Sequence, residues 1–151
     1  MYIEEYTTYQ ESEVLALYGS VGWTAYTEQP EALRRGFAGS LLTLAARENG
    51  TLVGLLRAVG DGCTVVLVQD LLVRPDHQRR GIGTALMQAI ERAAEASGAR
   101  MIVLETQTCN ENAIAFYRRN GFALIGLDLY AYSNTDPERR EVRLEMGKKL
   151  K

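Results

Sequence analysis

The sequence predicts an α+β fold, and three observations lead to this class. Apolar and β-branched runs separated by turn residues predict a meander of three antiparallel strands over residues 41–73. A strand–helix–strand unit then spans residues 64–105. Segments with apolar residues at helical spacing lie before and after these elements. With 151 residues, 46% apolar and 24% charged, the chain is predicted to form one soluble domain, residues 1–151.

The N-terminal segment is predicted to contain one strand and two helices. Ile3–Tyr6 is a short candidate strand. Glu11–Tyr18 has apolar residues at helical spacing and is followed by Gly19, which favours a helix end. A second helix is predicted over Pro30–Phe37, whose Leu33 and Phe37 are four residues apart and therefore share a face.

Turn residues divide the predicted meander. Leu41–Glu48 and Thr51–Val59 are joined by Asn49-Gly50, a pair that adopts the positive φ angles of a two-residue hairpin. A second turn, Gly60-Asp61-Gly62, leads into Thr64–Val73, an almost continuous apolar run. Such a run is typical of a strand that is covered on both faces.

The second half of the chain continues with alternating helices and strands. Pro75 ends the apolar run, and an amphipathic helix with its apolar stripe at Ile82, Leu86 and Ile90 is predicted to end before Gly98. The remaining predicted elements are the strand Met101–Glu105, the helix Asn112–Arg119 with Gly121 beyond its end, and the strands Phe122–Leu127 and Glu141–Met146.

Charge and cysteine content exclude several kinds of protein. A net charge of −2 and a pI near 5.5 provide no overall basic field for nucleic acid or an anionic membrane. Cys63, Cys109 and the single histidine, His77, lack the spacing of a metal site, and no disulfide framework is expected. We see neither a secretory signal nor an apolar stretch long enough to span a membrane, which predicts a cytoplasmic location.

The segment Gln78–Thr84 carries the strongest functional signal. It joins a buried strand to a helix start, where free N–H groups and the positive end of the helix dipole attract phosphate. Gly81 and Gly83 allow close approach of an oxyanion, and the two arginines before them add charge. The Walker pattern is absent, and Pro75–Arg80 is too long for the tight Rossmann turn. From this segment alone, a connecting loop with solvated arginines remains an alternative.

Two sequence blocks resemble the GNAT acyl-CoA N-acyltransferase superfamily. The block Val68–Leu86 is similar to the family's motif A, and the block Asn110–Phe122 is similar to its N-x-x-A-x-x-F-Y-x-x-x-G-F segment. The resemblance implies an α/β/α layered GNAT fold: a mixed, mostly antiparallel sheet with helices on both faces, splayed between its fourth and fifth strands. Leu104–Gln107, Asn110 and Tyr132–Asn134 further resemble streptothricin acetyltransferases.

The resemblance implies binding of acetyl-CoA, with no metal. Its diphosphate would contact backbone amides in the loop, its pantetheine arm would pair with the strand backbone, and Asn110 would bind the arm. The implied binding residues are Leu71, Leu72, Val73, Gln78, Arg79, Arg80, Gly81, Ile82, Gly83, Thr84, Asn110 and Tyr117. An N–H near Leu72 or Val73 would stabilise the oxyanion of the transition state.

Acetyl transfer to an amine requires a base and a proton donor for the leaving thiolate. Asp70 and Glu105 are the candidate bases, although a buried Asp70 could instead pair with an arginine such as Arg57. Tyr117 matches the family's tyrosine acid, although by position alone it could belong to the core. Asp70 and Glu105 are also candidate acceptor contacts, together with four aromatic residues that could equally be packing residues: Trp23, Tyr26, Tyr130 and Tyr132.

The implied function is acetyl transfer from acetyl-CoA to a primary amine of a small molecule. Two alternatives are open: acetylation of protein lysines or N-termini, and a CoA-binding sensor without catalysis. By analogy with the family, a homodimer is also expected.

Overall fold

One mixed sheet of seven strands organises the protein in the computed structural model, which describes residues 1–151. The strand order is β1-β2-β3-β4-β5-β7-β6, and β4 and β5 form the only parallel pair. The strands are β1 (Tyr2–Glu5), β2 (Leu42–Glu48), β3 (Thr51–Gly60), β4 (Val65–Val73), β5 (Met101–Gln107), β6 (Ala123–Asp128) and β7 (Arg143–Lys149).

The predicted meander is confirmed. β2, β3 and β4 pair antiparallel in order, and the turn between β2 and β3 has φ angles of 50° at Asn49 and 79° at Gly50. Positive φ angles at both central residues produce a turn whose twist matches that of the flanking strands.

Helices cover both faces of the sheet, as predicted. On one face lie α1 (Glu11–Ser20), α2 (Thr24–Thr27) and α3 (Pro30–Ala38). The opposite face carries α4 (Ile82–Ser97), and α5 (Glu111–Arg119) packs beside the start of α4. A last short helix, α6 (Asp136–Arg139), lies in the connection between β6 and β7. No helix combines the length and the apolar composition needed to cross a membrane.

Each face has its own hydrophobic core. The α4-side core contains 17 buried residues, among them Val66, Leu86 and Ile90, and the α1-side core contains nine, among them Leu17 and Leu55. The helical spacing of Ile82, Leu86 and Ile90 explains the first core, because these positions lie on one face of α4.

Several predicted element boundaries are wrong, and three short elements were not expected. β7 covers Arg143–Lys149 rather than residues 141–146, and β5 extends to Gln107, because the two strands pair along their whole lengths from Met101–Lys149 to Gln107–Arg143. The unexpected elements are α2, α6 and a 3₁₀ turn at Pro75–His77. Helices of four residues or fewer carry too little periodicity to be recognised in a sequence.

A β-bulge in β4 determines which side chains meet which core. Arg57 pairs with Asp70, but its neighbour Ala58 pairs with Val68, so Gln69 is an extra residue. Because one extra residue exchanges the two faces, Val68 points into the α4-side core while Asp70 points to the opposite face.

Candidate active site

The sheet opens between β4 and β5. Their parallel pairing ends at Val68–Leu104, although β4 continues to Val73 and β5 to Gln107. The splay between the fourth and fifth strands, which the family resemblance implied, is therefore confirmed. The facing edges of both strand ends are left without a neighbouring strand.

The backbone of β4 presents alternate residues to this opening. The Arg74 N–H donates to Val53 O on β3 at 2.8 Å, so the backbone groups of Val73, and likewise of Leu71, point the other way, into the gap. Leu72 points its backbone towards β3, and its side chain is buried in the α1-side core. The structure therefore brings Leu71 and Val73 to the opening and leaves Leu72 out.

The backbone amides from Arg79 to Thr84 form a cradle at the start of α4. None of them donates a hydrogen bond to a protein acceptor, and the first amide in use is that of Ala85, bonded to Gly81 O at 2.9 Å. Arg79 and Gly81 adopt positive φ angles of 62° and 83°, which curve the loop into the helix. Consecutive unpaired amides at a helix N-terminus form a typical anion site.

Gln78 lies at the edge of this cradle rather than in it. Its amide faces Pro75 O at 3.4 Å, and its side-chain Nε2 donates to Val73 O at 3.0 Å. Arg80 points away from the cradle towards Glu48, with 3.7 Å between Nη1 and Oε2.

A cleft of about 800 Å³ joins the strand opening to the cradle and to α5. Its volume lies in the range typical of ligand sites, roughly 300–1,000 Å³. Of the predicted binding residues it is lined by Leu71, Val73, Gln78, Arg79, Gly81, Ile82, Gly83, Thr84 and Tyr117. Asn110 does not line it, since its side chain caps α5 by accepting from the Ala113 N–H at 3.2 Å.

Sequence reasoning missed the α5 wall of the cleft. Besides His77, the additional lining residues are Asn112, Ala113, Ala115, Phe116, Arg119 and Asn120. Helical spacing offered a signal, because positions three and four residues from Tyr117 and Phe116 share the faces of those residues. Gly83 lets α5 approach closely: a Cβ there would lie 3.1 Å from Phe116 Cζ.

Tyr117 lies in the same cleft between two aromatic neighbours. Its ring centroid is 5.4 Å from that of Phe116 and 6.0 Å from that of Phe122. Burial raises the pKa of Tyr117 to about 12. The hydroxyl therefore stays protonated at neutral pH, and it can donate a hydrogen bond into the cleft.

Asp70 is buried on the opposite face of the sheet. It accepts hydrogen bonds from Arg57 Nε at 2.6 Å, Tyr18 OH at 2.8 Å and Tyr26 OH at 3.1 Å, and it is 1% exposed. Burial, followed by the Asp70 charge, raises the pKa of both tyrosines. Trp23 stacks on Tyr26 with 5.9 Å between ring centroids, which connects α2 to the same network.

Glu105 lies on that face too, but it is exposed. Leu104 and Thr106 are buried, so the intervening Glu105 points to the side of the sheet that carries Asp70. Its nearest cation is Arg143, with 3.8 Å between Oε2 and Nη1. Arg143 also approaches Asp128 at 3.4 Å and Glu145 at 3.7 Å, so three carboxylates share one guanidinium.

The connection between β6 and β7 carries the last two candidates. Tyr130 and Tyr132 are 60% and 53% exposed. The fully buried Asp136 fixes the backbone here by accepting from the Tyr132 N–H at 2.8 Å. Partial burial raises the pKa of the Tyr132 hydroxyl, which lies near the Gln107 amide at the end of β5.

A mixed sheet that splays beside an amide cradle defines the fold class of the N-acetyltransferases. The sequence model of the acetyltransferase (GNAT) family matches residues 4–122. The chain therefore belongs to this family, and the family that its two sequence blocks resemble is confirmed.

Individual relatives agree with this assignment. Streptothricin acetyltransferase from Streptomyces lavendulae is 41% identical over 71 residues, which are 47% of this chain and 38% of that protein. The chain spans 38%, 47% and 39% of the length of three curated relatives. A GNAT-family acetyltransferase from Streptococcus pneumoniae is 36% identical, with a TM-score of 0.71 and coverage of 82% and 87% of the two chains.

One structural neighbour shares the fold over its whole length. An aminoglycoside 6'-N-acetyltransferase in complex with coenzyme A superimposes with a TM-score of 0.85, covering 100% of this chain and 98% of the other. At 18% sequence identity, this similarity concerns the fold alone.

Proposed function

We propose that the protein transfers an acetyl group from acetyl-CoA to a primary amine of a small molecule. The observation that carries the proposal is the run of unpaired amides from Arg79 to Thr84 beside the open edge of β4. Two similar proteins support it: a relative is a streptothricin acetyltransferase, and a structural neighbour is an aminoglycoside acetyltransferase in complex with coenzyme A.

The residues of the cleft fit coenzyme A. The cradle amides and Arg79 suit the diphosphate, and the gap-facing backbone of Leu71 and Val73 suits the pantetheine amides. The Val73 carbonyl already accepts from Gln78 Nε2, so that side chain must turn away if the arm uses this carbonyl. Asn110 does not line the cleft; its Nδ2 makes no hydrogen bond within the protein, and the arm would have to extend to the start of α5 to meet it.

Residues on both faces of the sheet take part in the proposed acetyl transfer. The neutral acceptor amine attacks the thioester carbonyl, a C–N bond forms and the C–S bond breaks. A gap-facing N–H of Leu71 or Val73 stabilises the carbonyl oxygen as it gains charge. The amine proton passes to a carboxylate, directly or through water, and Tyr117 donates a hydrogen bond to the departing thiolate.

We infer that Glu105 is the general base and that Asp70 is a positioning residue. The two Asp70 oxygens together accept three hydrogen bonds, and the residue is 1% exposed, so an acceptor proton cannot readily reach it. Glu105 is exposed at the end of β5 beside the opening. Asp70 instead holds Tyr26, and through it α2, against β4.

Replacing the two carboxylates separates these roles. Glu105→Gln is expected to lower kcat/KM about a hundredfold with an unchanged melting temperature, because it removes the proton acceptor. Asp70→Asn is expected to lower the free energy of unfolding by about 3 kcal/mol, because Arg57 would stay buried without its anion. Steady-state kinetics and urea unfolding measure both effects. Full activity of the Glu105 variant would return Asp70 to the role of base.

The acceptor class can be tested by acetyl-CoA-dependent thiol release. The panel should contain streptothricin, aminoglycosides, polyamines, amino acids, and peptides with a lysine or a free N-terminus. We expect turnover with one of the small amines. Turnover with peptides alone would favour a protein acetyltransferase, and CoA binding without any acceptor would favour a sensor.

We also propose a cytoplasmic homodimer that pairs through β6. This strand is a sheet edge, and its Leu124, Ile125 and Leu127 are 49–57% exposed. Light scattering should give about twice the monomer mass of 16.8 kDa, and Leu127→Lys should shift the mass towards the monomer. A monomeric wild type would contradict the proposed dimer.

The proposed cytoplasmic location rests on the two exposed free cysteines, which suit a reducing compartment. Cell fractionation can test this location.

A further inference from the structure

Arg119 lies in the wall of the cleft and forms no ion pair within the protein. It lies in the last turn of α5 and lines the cleft opposite the start of α4. The ion pairs of the protein use other arginines, namely Arg34, Arg47, Arg57, Arg74, Arg80 and Arg143. No side-chain nitrogen of Arg119 donates a hydrogen bond to a protein acceptor, so its guanidinium is free to bind an anion.

The position of Arg119 along α5 indicates which anion it binds. α5 begins just after β5 ends at the strand opening, and Phe116 touches the cradle at Gly83. Asn112, Phe116 and Arg119 are spaced by four and three residues, so they share one face of α5. Arg119 therefore lies one helical turn, about 5 Å, past the cradle and farther from the opening.

The groups of coenzyme A follow the same linear order. The thioester end belongs at the strand opening, and the diphosphate belongs at the cradle. The group beyond the diphosphate is the ribose, which carries a 3′-phosphate. A free guanidinium is well suited to this dianion, because its planar fork binds phosphate oxygens in pairs.

We propose that Arg119 binds the 3′-phosphate and makes the protein select coenzyme A over dephospho-coenzyme A. This assignment rests on the proposed function, since it takes coenzyme A as the occupant of the cleft. The competing explanation is that Arg119 only stabilises α5, because a cation near a helix C-terminus interacts favourably with the helix dipole. Arg118 occupies the same last turn but does not line the cleft, so it provides a matched control.

Isothermal titration calorimetry with both ligands tests the assignment. Wild type is expected to bind coenzyme A about tenfold more tightly than dephospho-coenzyme A, the scale of one charged contact at an exposed site. Arg119→Ala should remove that difference by weakening only coenzyme A binding. Arg119→Lys should restore part of it, and Arg118→Ala should leave it unchanged. Melting temperatures of the variants check that each remains folded.

The outcomes that overturn the proposal are distinct. Equal binding of the two ligands by wild type would show that the 3′-phosphate is not recognised. Equal weakening of both ligands by Arg119→Ala, or the same effect from Arg118→Ala, would assign Arg119 to the structure of α5. If wild type bound neither ligand, the proposed function would itself fail, and this assignment with it.

Discussion

Gly83→Asp is expected to lower the affinity for coenzyme A by more than about a hundredfold, the loss of roughly two charged hydrogen bonds. The new carboxylate would stand at the second residue of α4, among the unpaired cradle amides. It would accept the N–H groups that otherwise meet the diphosphate, and it would repel that anion. Its Cβ would also lie 3.1 Å from Phe116 Cζ, so the ring on the facing wall must move.

The same substitution should leave the fold intact. An acidic residue in the first turn of a helix interacts favourably with the helix dipole, so α4 would still form. Gly19→Asp is the matched control: it makes the same charge change in α1, where an added Cβ meets no atom within 4 Å. Calorimetry should show undiminished coenzyme A binding by the Gly19 variant. Equally tight binding by the Gly83 variant would place the diphosphate outside the cradle.

The cradle was predictable because its signal is local. Glycines that follow a buried strand and precede the apolar stripe of an amphipathic helix identify a helix start. The first amides of any helix lack partners within the helix, independently of the tertiary structure. The strand opening was predicted from the family resemblance, since no single residue in β4 or β5 marks the point where their pairing ends at Val68–Leu104.

The environment of Asp70 could not be predicted to the same degree. Val65–Val73 is apolar except at Gln69 and Asp70, so it lacks the alternation that would reveal a bulge at Gln69. Without the bulge, Asp70 would be assigned to the wrong face. Pairing with Arg57 was one of two alternatives, but the Tyr18 contact joins residues 52 positions apart and depends on how α1 packs.

Tyr117→Phe is expected to lower kcat about 30-fold while changing coenzyme A affinity less than twofold, since one hydrogen bond to a developing thiolate is lost. The phenyl ring keeps the contacts with Phe116 and Phe122, so the cleft should retain its shape. Tyr9→Phe is the matched control, because the Tyr9 hydroxyl is buried without a partner and lies outside the cleft. Kinetics and calorimetry on the same preparations separate turnover from binding.

The pH dependence of this comparison identifies what Tyr117 does. A pKa raised to about 12 keeps the phenol protonated up to about pH 10, and its hydrogen bond is lost as the pH rises through the pKa. The kcat ratio of wild type to Tyr117→Phe should therefore stay constant from pH 6 to about 10. Because the thiol of coenzyme A has a pKa nearer 8.5, taking cysteine as the model, complete proton transfer from a phenol of pKa about 12 is unfavourable. We therefore expect Tyr117 to stabilise the thiolate by donating a hydrogen bond rather than by transferring its proton. A ratio that falls towards one near pH 9 would show an ionising tyrosine, and equal turnover of the two proteins would remove Tyr117 from the reaction.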